Sequence, residues 1–78
     1  MEEITHQLIL VDTQSRTQGQ VATTLAMFIP ELIGVTYKII EEVERDGQAP
    51  CFPGSLKDCQ NLELEFKERQ IPCKIVQI

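Results

Sequence analysis

The sequence predicts a two-layer α/β (α+β) domain of order β-α-α-β-α-β, in which a small three-stranded sheet is covered by three helices. Three observations carry this. The hydrophobic period changes from strand-like to helical directly after the first apolar run, Gln7–Val11. Gly47 and Pro50 separate an amphipathic stretch from a short extended one. An alternating run, Ile71–Ile78, closes the chain. With 78 residues, no internal repeat and no long linker, residues 1–78 are one domain. A chain of this size buries roughly 60% of its unfolded surface, so its core is thin.

Taken in order, Gln7–Val11 reads as a central strand. It carries apolar residues on both faces, Leu8 and Leu10 against Ile9 and Val11, so both faces are expected to be covered or partly covered. Asp12-Thr13-Gln14-Ser15 supplies turn chemistry. From Gln18 a first helix follows, with Val21, Leu25, Phe28 and Leu32 recurring on one stripe that Ala22 and Ile29 widen. Pro30 removes an amide donor and should stop or kink it, leaving Glu31–Gly34 as an irregular turn.

Thr36 is expected to cap a second helix, with Ile39, Ile40 and Val43 inward, acidic residues outward and Gly47 as its left-handed end. Pro50 cannot donate to a ladder, so Gln48–Phe52 is expected to be an edge strand or connector, and Pro53-Gly54 to turn the chain. Ser55, followed three residues later by Asp58, resembles a capping box for a third helix lined by Cys59, Leu62 and Phe66.

Charge narrows the functional classes. Twelve acidic against seven scattered basic residues give a net charge of −5. A nucleic-acid partner would need a basic face that this chain lacks. The acidic start and the absence of any apolar run near the ~20 residues of a membrane span point away from a membrane and toward a cytoplasmic location. Three cysteines without a secretory signal read as reduced, packed thiols. Cys51, Cys59 and Cys73 with His6 have no zinc-ribbon spacing, and nothing arranges His6 beside a thiol as a nucleophile pair. No metal, no cofactor and no enzymatic activity are expected.

The segments GQAPC, SLKDC, KERQIPCKIV and GVTYKIIEEV together resemble two related families over about Gln7 to Ile78. One is the Clp protease adaptor ClpS, through Glu42-Val43, Gly47, Ala49 and Cys51 leaving the second helix and Cys73 in the last strand. The other is the C-terminal domain of the large-subunit ribosomal stalk protein, through Gly34-Val35, Lys57-Asp58, Leu62 and Phe66.

The adaptor resemblance implies an interaction module that receives a peptide or protein partner and is linked to Clp-type proteolysis. Adaptors hold a substrate's free amino group with an Asn-Asp pair after the first strand and a His near the end of the second helix. Here those places read Asp12-Thr13-Gln14 and Glu44, while Ile40 and Val43 fall where adaptors line an apolar pocket. The expected site is therefore a rim of Asp12, Thr13, Gln14 and Glu44 over a floor of Ile40 and Val43. The stalk domain engages translation factors through basic residues, of which only Lys38 has a counterpart here.

A second reading rests on Met27 and Leu64, which lie off the apolar stripes of their helices. They would form the contact face of a structural or homo-oligomerising domain.

Overall fold

The computed structural model describes residues 3–11 and 17–78. It is a small α+β domain with a three-stranded antiparallel sheet and three helices. Strand β1 (His6–Val11) is followed by helix α1 (Gln18–Phe28), a 3-10 turn (Pro30–Leu32), helix α2 (Thr36–Asp46), strand β2 (Gln48–Gly54), helix α3 (Leu56–Glu68) and strand β3 (Cys73–Gln77).

The sheet order is β2-β1-β3, so β1 is central, as its doubly apolar sequence requires. Leu8 and Leu10 join Val21, Leu25, Ile40, Val43 and Phe66 in one core. Ile9 lies on the opposite face, outside that core. It is nonetheless buried, between Pro50 and Lys74 on the flanking strands.

Helix α1 starts at a feature the hydrophobic pattern did not reveal. Thr17 Oγ1 accepts from the Gln20 amide at 3.2 Å, and Gln20 Oε1 accepts from the Thr17 amide at 3.3 Å. Two orphan donors of the first turn are thereby satisfied. The helix ends before Pro30, and the expected irregular turn is a 3-10 turn. That turn displaces the start of α2. Val35, not Thr36, caps the helix, and Thr36 is a buried helical residue. The physical reason is continuity: the Val35 amide donates to Leu32 and the Ile39 amide to Val35, so the chain is already curling when it reaches Thr36. Gly47 ends α2 in the left-handed region at φ 87°.

Strand β2 also runs further than expected, through Pro53 and Gly54 rather than turning there. A bulge opposite Leu8 and Ile9 absorbs one residue, leaving Cys51 without a register partner. At the head of α3, Ser55 Oγ accepts from the Asp58 amide at 3.2 Å. Phe66 and Cys59 face inward from this helix.

Between α3 and β3, Gln70 sits at φ 60°, and the Ile71 amide closes the helix end on the Phe66 carbonyl at 2.9 Å. An L side chain is disfavoured in that region, whereas glycine is not. Gln70→Gly is accordingly expected to raise the unfolding free energy by about 0.5–1 kcal/mol. Chemical denaturation of the two proteins checks this, and an unchanged or lower midpoint contradicts it.

Candidate functional site

The amino end of α1 is where the chemistry of this chain converges. On one side, Gln18 Nε2 donates to Glu44 Oε1 at 2.8 Å, tying the first turn of α1 to the last turn of α2. On the other side, Gln20, Thr23 and Thr24 face Arg69, Gln70 and Ile71 across a cleft of about 770 Å³. Gly19 borders the cleft, and a Cβ at that position would meet nothing within 4 Å. Thr24 is largely satisfied within its helix, because its hydroxyl donates to the Gln20 carbonyl at 2.9 Å.

Arg69 supplies the cleft's cation, and it is held rather than free. Its guanidinium lies 4.6 Å from the centre of the Phe28 ring, and Nη1 donates to the Glu65 carbonyl at 2.8 Å and carboxylate at 3.2 Å. Phe28 in turn packs at a tilt against Phe66 in the core. An aromatic face and a carboxylate thus orient one charge at the wall of the cleft.

The expected rim and floor fare differently from one another. Asp12, Thr13 and Gln14 lie outside the described residues. Glu44 is exposed and engaged with Gln18. Ile40 and Val43 are 0% and 3% exposed and belong to the core beneath α2, so they form packing and not an open floor. The cause is geometric: the apolar side of a short helix on a small sheet is consumed by the sheet itself. The concavity lies on the far side of α1 from Glu44. Neither its Arg69 wall nor the bend at Gln70 left a periodic signal in the sequence.

Met27 and Leu64, the alternative contact residues, are 56% and 63% exposed. Leu64 is two residues from Phe66, which at 100° per residue turns it away from the core.

The three thiols are free and buried. Burial pushes the Cys51 thiol up to about 12, with smaller contributions from Cys73 and Cys59. Burial, assisted by Glu63, pushes Cys73 up to about 11. Cys51 Sγ also lies 3.5 Å from the Leu8 carbonyl, as its weak donor. A nucleophilic or metal-binding cysteine needs a stabilised thiolate, and these environments favour the protonated form. His6 Nδ1 is 2.8 Å from the Thr5 hydroxyl. Among the described residues no group of three or more His, Cys, Asp or Glu could hold a metal ion, and no helix is long and apolar enough to cross a membrane.

No family model matches this chain, and no curated protein matches it.

Proposed function

We propose that this chain is a non-catalytic protein-interaction module, adaptor-like in the manner of ClpS and linked to Clp-type proteolysis, that takes a peptide or protein segment at the amino end of α1. The observation that carries this is the cleft between α1 and the α3–β3 turn. Its walls offer hydroxyls, side-chain amides, the Glu68 carboxylate and one oriented guanidinium, which are groups that recognise polar side chains and peptide bonds. The order of elements, with a left-handed glycine closing the second helix, supports this reading.

The ligand is an internal or polar segment, not a bulky apolar first residue. Glu44 is already bonded to Gln18, and Ile40 and Val43 present no open pocket. Selection of random peptides on the immobilised protein tests the proposal. Enriched peptides are expected to share a motif and to lose binding in Gly19→Trp, which fills the cleft from a position bordered by open space. Peptides with a free N-terminal Phe, Leu, Tyr or Trp are expected to bind weakly or not at all. Failure to enrich any motif, or binding indifferent to Gly19→Trp, overturns the cleft as the site.

A further inference from the structure

The two edges of the sheet are chemically unlike. The Ile78 amide donates to the Thr5 carbonyl at 2.9 Å and the Val11 amide to the Pro72 carbonyl at 3.1 Å. Antiparallel pairs alternate between hydrogen-bonded and non-hydrogen-bonded. With Gln7 opposite Val76 and Ile9 opposite Lys74, it follows that Lys74 and Val76 turn their peptide groups toward β1. Cys73, Ile75 and Gln77 turn theirs away. No described strand lies beyond β3 on that side.

The other edge differs. Because β1 addresses β2 through Leu8 and Leu10, opposite Phe52 and Ala49, the outward positions of β2 include Gln48, Pro50 and Pro53. The two prolines have no amide to offer. One edge is blunted by proline while the other carries an unbroken row of donors and acceptors.

We propose that β3 pairs antiparallel with β3 of a second copy of this chain, across a two-fold axis at Ile75, to form a six-stranded sheet. The free edge is its own complement: Ile75 lies opposite the partner's Ile75 and Cys73 opposite the partner's Gln77, giving about six hydrogen bonds. Lys74 then faces the partner's Val76, so no like charges oppose one another. Ile78, 69% exposed in the single chain, comes opposite the partner's Pro72. Sliding the register one way sets Lys74 against the partner's Lys74, and sliding it the other way gives up a bonded pair. Since the β2 edge lacks two of its outward donors and is a poor template for a further strand, association closes at two copies instead of propagating. None of this uses the residues of the cleft, so the two proposals stand or fall separately.

Sedimentation velocity of the full chain over a range of concentrations tests the pairing. A monomer–dimer equilibrium is expected, and Gln77→Pro, which removes outward donors without touching the ladder to β1, should weaken the dimer by roughly ten-fold. Val76→Glu and Val76→Lys form the second arm, which also serves if Gln77→Pro fails to fold. Glutamate at this position would face the partner's Lys74 and tighten the dimer several-fold, whereas lysine would loosen it by a similar factor. Net charge alone predicts the reverse, because the glutamate variant is the more negative. A chain that stays monomeric up to about 1 mM overturns the proposal. So does a dimer indifferent to Gln77→Pro, or one whose affinity moves with net charge.

Discussion

Phe66→Ala is expected to destabilise the domain by about 3–5 kcal/mol. Phe66 leads the fully buried side chains in volume and has no exposed surface. Its ring centre lies 6.3 Å from that of Phe28, at 59°, so it joins the underside of α1 to α3. Cys59 and Leu62 flank it on α3, and β1 supplies Leu8 and Leu10 to the same core. Truncation removes the transfer free energy of a phenyl ring and leaves a void that three short helices close only by shifting. Because a domain of this size sits near the lower end of the usual 5–15 kcal/mol of stability, the variant is expected to keep only about 0–2 kcal/mol and to be partly unfolded near room temperature. Circular dichroism and urea denaturation check this. Phe66→Leu, which keeps most of the volume, should remain folded and give a measurable intermediate loss. A loss below about 1 kcal/mol for Phe66→Ala would mean that the core does not depend on this ring.

Raising the pH is expected to cost the fold a comparable amount through Cys51. In the unfolded chain its thiol titrates near the ordinary 9.0, whereas burial in the folded state moves it to about 12. Below pH 9 both states hold the proton, and the folded state's advantage is intact. Above pH 9 the unfolded chain releases it while the folded chain does not, so stability falls as pH rises and continues to fall until about pH 12. Three pH units at ~1.4 kcal/mol each set an upper scale of about 4 kcal/mol. Cys73 acts in the same direction over a narrower window. Urea midpoints measured from pH 8 to 11 should decline, and Cys51→Ala should decline less steeply than the wild type over the same range. Parallel profiles for the two proteins would show that the thiol is not held protonated by burial. The same environment predicts that Ellman's reagent reacts with Cys51 at neutral pH only as fast as the domain opens.

Most of the secondary structure was determined by local chemistry. The period of Val21, Leu25 and Phe28, the break at Pro30, the left-handed end at Gly47, the Ser55 cap and the alternation after Pro72 act within a turn or a strand, and each appears where the chain places it. Even Pro50 marked an edge strand or connector, because a missing donor is tolerated only where no neighbour needs it. Tertiary structure decided what depends on contacts between distant segments. The bulge that carries β2 through Pro53 arises from pairing with β1, and Thr36 lost its capping role to a preceding turn whose hydrogen bonds no periodicity encodes. Ile40 and Val43 have the same apolar pattern whether they line a pocket or fill a core, and only the sheet packed beneath α2 makes them core. The cleft is assembled from the first turns of α1 and from residues about 50 positions later in the chain. Its Arg69 is defined by a ring on another helix, so its geometry exists only once those segments meet.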